Sequence, residues 1–301
     1  VTEAPERAPL PPALSSDEAA ELAARHGLRT LSERPPLRRY LGDLWRRRSF
    51  VWTLSSAESY ARNEDNHLGQ LWAVLNPAML IGSYFVIFGL LLNTQGGVEN
   101  FIAFLAIGVV MFMFTSSVIT RGVKAITGNL SLVRALHFPR AILPISVTLT
   151  ELLAALPAFL LLFVLMFVTG ETPDWEWLLF PVALALQGLA LLGIAFIGAR
   201  LVNASRDIGN LIPVTVRLLR YVSGVFFPVE HYAQNLPTVW HDLLVYQPFS
   251  LMLTIGRQAL LTDAEHGVVL TDWLAMAAWG IGLACVGLVI FWRDEAKYGR
   301  G

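Results

Sequence analysis

Inside the long apolar stretches of this chain, the charged residues far from any end are Glu151, Arg217 and Arg220. A charge in hydrocarbon is costly, so such residues face a bundle interior, pair with one another or meet a ligand. Glu151 lies about ten residues from the basic end of its stretch and Arg217 about nine. At roughly 1.5 Å per helical residue they reach similar depth and are expected to pair. Two readings stay open. The arginines attract an anionic substrate such as a diphosphate while Glu151 holds one of them in place, or the charges form a structural pair with Arg220 snorkelling to the interface.

Aromatic residues form a second constellation: Tyr84, Phe85, Phe88, Phe112, Phe114, Tyr221, Phe226 and Phe227. Sugar rings present apolar C–H faces that lie well on aromatic rings, and such contacts tolerate sliding along a channel. Ordinary helix packing or lipid contact is the plainer reading of any one of them. Trp52, Trp72, Trp175, Trp177, Trp273 and Trp292 suit interface belts.

Other chemistry lacks its residues. The lysines are Lys124, followed by Ala125, and Lys297, followed by Tyr298, so no Gly-Lys-Ser/Thr phosphate loop exists. There is no Gly-x-Ser-x-Gly elbow and no His-Glu-x-x-His pair. The 6 histidines fall in arms and links, away from the apolar stretches. Cys285 is the sole cysteine, which excludes an intramolecular disulfide and a cysteine-built metal site. Arginines interleaved with no aromatic soluble patch give no support for a nucleic-acid partner.

The elements that must position these residues are long apolar helices. Six segments approach the ~20 residues that cross ~30 Å of hydrocarbon: Asn76–Leu92, Phe101–Thr120, Ala141–Thr169, Trp177–Leu201, Ile208–Phe227 and Trp273–Trp292. Backbone groups in lipid must bond within their own segment, so the fold expected is an all-α integral membrane protein. The formal net charge of −1 averages two unlike faces. Basic residues gather in the arm up to Arg62, the link Arg121–Arg140, the link Arg200–Arg206 and the tail Arg293–Arg300. The other face carries Arg257 among Glu99, Glu171, Asp174, Glu176, Glu230, Asp242, Asp263, Glu265 and Asp272. Both termini are therefore expected in the cytoplasm, in a multi-pass protein of the cytoplasmic membrane.

Four regions follow. Residues 1–36 read as a flexible cytoplasmic Pro-rich arm without an apolar signal core, holding one short helix behind a Ser15-Ser16-Asp17-Glu18 capping box. Residues 37–75 read as amphipathic interfacial helices, or as a helical arm packed on its own bundle. There Arg46, Arg47, Arg48 and Arg62 join Arg217 and Arg220 as candidates for a lipid headgroup or diphosphate. Residues 76–292 form the six-helix domain and 293–301 a cytoplasmic tail. The link after the second segment predicts a short amphipathic helix with Leu130, Leu132, Val133 and Leu136 apolar, ended by Pro139. On the outer side, Val239–Val245 and Phe249–Leu261 are apolar helices too short to cross, broken by Pro228, Pro237 and Pro248.

Three ordered motifs resemble one family. Tyr60-Ala61-Arg62, then His67-Leu68-Gly69-Gln70-Leu71-Trp72 and Asn76-Pro77, resembles the start of the first span in ABC-2-type permeases of polysaccharide exporters (O-antigen, teichoic acid and galactan transporters). Phe138-Pro139-Arg140-Ala141-Ile142-Leu143-Pro144 is similar to their segment after the ATPase-contacting loop, and Ser223-Gly224-Val225-Phe226-Phe227-Pro228-Val229 to their turn closing span five. Gln247-Pro248 departs from the family's Asn-Pro, and the Pro-rich arm is additional.

The resemblance implies a permease subunit moving a polyprenyl-diphosphate-linked glycan, a galactan by preference, as a homodimer with two copies of a cytoplasmic ABC ATPase. No cofactor would sit in this chain, and ATP and magnesium would bind the ATPase. Asn129, Leu130, Leu132, Val133, Arg134, Leu136, His137 and Phe138 would form the coupling helix, and Val239–Leu261 the outer gate helices. The aromatics would line the channel, and membrane lipids would surround it. An ABC-2 permease for a small lipophilic drug or lipid is the alternative. A membrane transferase would need acidic or histidine clusters at one interface, and a passive channel would need no ATPase.

Overall fold

The computed structural model describes residues 15–26, 35–62, 71–92, 98–136, 138–234, 236–262 and 267–298. The chain divides into two units, Val1–Pro35 and Pro36–Gly301. The first holds α1 (Ser16–Arg25). Its capping box is closed: the Ser15 N–H donates to Glu18 at 2.9 Å and the Glu18 N–H donates to Ser15 Oγ at 3.3 Å. These bonds satisfy amides that a helix start leaves free.

Every regular element among the second unit's described residues is a helix. Its elements are α2 (Leu37–Arg46), α3 (Arg48–Ala61), α4 (Trp72–Tyr84), α5 (Phe101–Gly122), α6 (Leu130–Ala135), α7 (Ile142–Val168), α8 (Phe180–Ala204), α9 (Arg206–Val222), α10 (Val229–Ala233), α11 (Thr238–Val245), α12 (Pro248–Leu260) and α13 (Leu270–Arg293). A π-helical stretch, Phe85–Leu91, extends α4. A 3₁₀ turn, Trp175–Leu179, leads into α8.

Among the described residues, 5 helical stretches are long and apolar enough to cross a membrane: Trp72–Leu91, Phe101–Gly122, Ile142–Val168, Trp175–Ala204 and Leu270–Arg293. They match five of the expected segments within a few residues. The segment expected at Ile208–Phe227 differs. Its helix α9 has 17 residues and stops at Val222, carrying Arg206, Asp207, Arg217 and Arg220. Beyond it the backbone turns at Gly224, whose φ of 81° is left-handed and favours glycine. Residues 223–228 therefore belong to a turn, and length counting merged turn with helix.

α5 is the hub. Of its apolar stretch 78% is buried, against 17–39% for the other four, so α5 sits inside the bundle and the others leave faces for lipid. It packs against α4, α7, α8 and α12. With no hydrophobic drive between helices in lipid, small residues and internal hydrogen bonds hold them together. Both devices are present. Gln187 of α8, wholly buried, donates to the Met111 carbonyl at 3.0 Å and to Thr115 Oγ1 at 2.8 Å on α5. Gly193 of α8 meets the Leu283 backbone of α13, and Gly287 meets Gly193, leaving no room for a Cβ on either.

α2 and α3 bury Tyr40, Val51 and Ser55 against the bundle while Trp45 and Trp52 stay exposed. Ser55 Oγ donates to the Ser146 carbonyl of α7 at 3.0 Å. The arm thus packs on its own bundle through one face and leaves tryptophans and arginines exposed together on the other.

Gly287→Val is expected to destabilise the solubilised protein by about 1–3 kcal/mol through overpacking. Gly282→Val, where nothing lies within 4 Å, is the matched control on the same helix. Thermal unfolding in one detergent compares them.

Candidate functional site

α7 brings Glu151 to its third turn, where α3 ends beside it. Glu151 is 3% exposed. Arg62, the residue capping α3, donates Nη1 to Oε2 at 2.9 Å and Nη2 to Oε1 at 2.6 Å. Arg121, in the last turn of α5, places Nε 3.4 Å from Oε1. The expected Glu151–Arg217 pair is not formed, and Arg217 is exposed on α9. Residue counting says nothing of which helices are neighbours: α7 packs on α3 and α5, which supply the cations instead. Stripping one partner from such a pair leaves a buried charge, a loss of about 3–5 kcal/mol.

Clefts open on both sides of this ion pair, and both include Arg62 and Glu151. One, about 360 Å³, has walls from Ala73, Pro77, Met113, Phe114, Ala155 and Ala158. The other, about 590 Å³, is edged by Glu58, Arg121, Lys124, Asn129 and Thr150.

The aromatic residues separate into two groups. Tyr84, Phe88, Phe226, Phe227 and Tyr221 make a continuous cluster. Phe226 lies 4.8 Å from both Tyr84 and Phe88 and 5.6 Å from Tyr221, and Phe88 lies 5.4 Å from Phe227. Arg220 fastens its end, donating Nη1 to Tyr84 Oη at 3.0 Å and lying 5.4 Å from the Phe112 ring centre. Phe85 packs half-buried on the main core. Phe112 and Phe114 are buried, and Phe114 meets Phe159 of α7, so Phe114 packs between helices and walls the apolar cleft, away from the cluster.

One residue was missed as a site. Arg257 of α12, 4% exposed, lies with its guanidinium carbon 3.5 Å from the Phe104 ring centre. It donates Nη2 to the Gly224 carbonyl at 2.8 Å and to that of Val225 at 3.3 Å. It thereby holds the turn that presents Phe226 and Phe227. The usable signal was an arginine in the middle of the apolar run Phe249–Leu261.

The expected coupling helix is α6, entered through a 3₁₀ turn, Thr127–Asn129. Its apolar residues do not share one outward face. Val133 is buried and Leu132 partly buried in a second cluster with Tyr40, Ile126, Leu143 and Tyr298, whereas Leu136 is 51% exposed. Arg134, Ser131 and Ala135 are exposed too. Leu130 is half-buried, Asn129 donates Nδ2 to the Ala125 carbonyl at 3.0 Å, and Phe138 packs 6.2 Å from Phe50. His137 lies outside the described residues. The surface open to a partner is therefore centred on Leu136 and Arg134, not on Val133. Arg46, Arg47 and Arg48 are exposed, with Arg46 3.7 Å from Asp43 and Arg48 over the Trp45 ring.

Behind α6 lies a buried polar joint. Tyr40 of α2 donates to Glu295 Oε2 at 2.8 Å and accepts from the Ala141 N–H at 3.1 Å. The Arg140 N–H donates to Glu295 Oε1 at 2.8 Å, and the Arg140 side chain bonds the Glu295 carbonyl. Ala141 offers no side-chain cap to α7, whose first N–H groups donate to the Pro139 and Arg140 carbonyls, while the arm and the tail satisfy the amides of Arg140 and Ala141 just before it. Burial pushes the Glu295 carboxyl up, outweighing the Arg140 amide, Tyr40 and the Arg140 charge, and burial likewise raises the Tyr40 phenol.

Apolar helices long enough to cross a membrane, with a buried carboxylate paired to arginines among them, are the frame of a multi-pass membrane domain. The chain belongs to the ABC-2 type transporter family, whose model matches residues 49–261. It is a membrane permease subunit in the cytoplasmic membrane, and permeases of this family work with a partner ATPase. It is 26% identical over 260 residues to the O-antigen export system permease protein RfbA of Myxococcus xanthus, covering 86% of this chain and 95% of that one. The Klebsiella pneumoniae protein of the same name is 25% identical over 261 residues, 86% and 94% of the two chains. The polysialic acid transport protein KpsM of Escherichia coli is 24% identical over 237 residues, 76% and 87%.

Because the folded-state value of Glu295 lies above that of an unfolded glutamate, its contribution to stability is present in acid and fades as pH rises through the folded value. Between about pH 4 and neutrality the midpoint of the wild type should therefore fall relative to Glu295→Gln, which stays neutral throughout. Paired thermal scans across that range measure it.

Proposed function

We propose that this chain is the permease of an exporter that moves a lipid-diphosphate-linked polysaccharide, by preference a galactan, across the cytoplasmic membrane. Two copies would work with two copies of a separate ATPase. The observation that carries the reading is the cluster of Tyr84, Phe88, Phe226, Phe227 and Tyr221 fastened by Arg220. Flat apolar rings with a cation at one end suit a sugar chain whose leading end is a phosphate, and a neutral drug would leave the cation unused. The named relatives are O-antigen and polysialic acid transport proteins, which supports a glycan as cargo.

The outward residues of α9, with Leu211, Val214, Leu218 and Tyr221 each more than half exposed, suit cover by a second copy. A twofold pair encloses a channel that one bundle cannot. In this reading α9 makes the sixth crossing, since 17 residues reach about 26 Å. The termini and α6 then face the cytoplasm, and α10–α12 form the outer gate. Exposed Arg46, Arg47 and Arg48 meet lipid phosphates, and Arg217 and Arg220 border the diphosphate's path.

Two variants test this reading with the permease and ATPase reconstituted together. Tyr221→Ala, at an exposed position, is expected to slow glycan export several-fold with complex assembly unchanged. Leu136→Asp is expected to stop co-purification of the ATPase while the permease stays folded. Wild-type export by the first and intact co-purification by the second would overturn the cargo path and the docking surface respectively.

A further inference from the structure

We infer that Arg62, Arg121 and Lys124 form a binding site for a prenyl diphosphate, and that Glu151 occupies it as an internal substitute when no cargo is bound. The inference rests on the lipid-linked cargo proposed above and gives it an address. Glu151 takes from Arg62 the two-pronged contact that a phosphate would take, at 2.6 and 2.9 Å, and shares Arg121 at 3.4 Å. Guanidinium groups match carboxylate and phosphate with the same fork. A diphosphate brings more charge and more acceptor oxygens than a carboxylate, so it competes with Glu151 for the same fork.

The surroundings match the two halves of such a ligand. On one side of the pair the cleft is lined mainly by apolar residues, with Asn76 and Ser117 among them, and is floored by the small residues Ala154, Ala155 and Ala158 of α7 against Pro77 of α4 and Met113 of α5. An isoprenoid segment fits there. On the other side the cleft carries exposed Lys124 with Asn129, and Thr150, which donates to Glu58 at 3.3 Å. Glu58 and Glu151 are the carboxylates facing the cations, so the site holds an excess of positive charge once Glu151 is displaced. A ligand with only a headgroup leaves the apolar cleft unfilled, and one with only a chain leaves the arginines with Glu151. The arrangement selects an amphiphile with its anion at the junction.

Displacement also has a mechanical consequence. Arg62 ends α3 and Glu151 belongs to α7, so a ligand that takes Arg62 from Glu151 unfastens the arm from the bundle at that point. Cargo would then release a contact that holds the empty protein closed.

The test uses the full chain in lipid nanodiscs with geranylgeranyl diphosphate as probe. Glu151→Gln is expected to bind it about tenfold more tightly, having lost the charged competitor. Lys124→Gln and Arg121→Gln, at exposed positions that leave the buried pair in place, are expected to weaken it several-fold. Ala158→Phe should weaken geranylgeranyl diphosphate while leaving inorganic diphosphate unchanged. If the wild type binds the probe but none of these variants differs from it, the site is wrong and the cargo class stands. If wild type and variants bind geranylgeraniol, or vesicle phosphatidylglycerol, as tightly as the diphosphate, the cargo reading falls with it. Native elution on size exclusion confirms that each variant is folded.

Discussion

A carboxylate buried among helices must be met by cations, and Glu151 organises the second unit around that requirement. Its partners arrive from two directions, Arg62 at the end of α3 and Arg121 at the end of α5. To supply the first, the arm must fold back along α7, and it does so with Ser55 and Thr150 bonded across the contact. To supply the second, α5 must end at the level of Glu151, which places the link to α6 beside the same cleft. A hydrophobic residue at 151 would pack at less cost, since buried ion pairs are seldom the most stable choice. Retaining one where two clefts meet points to use, and use as a contact that can be exchanged.

The helical fold and five of the long apolar helices were legible because apolar length is nearly sufficient evidence in lipid. Partner choice was not. Residue counting placed Glu151 and Arg217 at one depth, but depth says nothing about which helices are neighbours, and α9 turns Arg217 outward. The same limit applied to α6. Spacing marked Leu132, Val133 and Leu136 as one apolar set, yet the helix is only 6 residues long, and its inner side meets Tyr40, Ile126 and Leu143 of the chain's own core. An amphipathic pattern shows that a face is buried and leaves open what buries it.

Arg257 shows the opposite failure, a residue read only as the cation of the less basic face and not as a site. In fact α12 is buried over most of its length, and the arginine is satisfied by two carbonyls and a ring face. Turn carbonyls at Gly224 and Val225 cannot be satisfied by the helix that has just ended, and, buried in the bundle, they have no water. A guanidinium from α12 answers that need. The aromatic cluster therefore depends on a charge more than thirty residues further along, and a single-sequence reading of either segment alone does not connect them.

α7 is consequently held at two points about 14 Å apart along its axis. At its start, Tyr40 and Glu295 cap the amides of Arg140 and Ala141, just after α6. Three turns on, Arg62 and Arg121 hold Glu151. Between these points its Ser146 and Thr150 face α3 and bond to Ser55, which ties α7 to the arm. Force applied by an ATPase at Leu136 and Arg134 would reach Arg140 through a few residues and then pass along α7. A helix transmits axial displacement with little loss because its hydrogen bonds lie along the axis. The ion pair at Glu151 is where that displacement meets the clefts. A push on α6 and a phosphate at Arg62 would therefore act on the same contact from opposite ends, which gives nucleotide and cargo a shared element to bias without any direct contact between them.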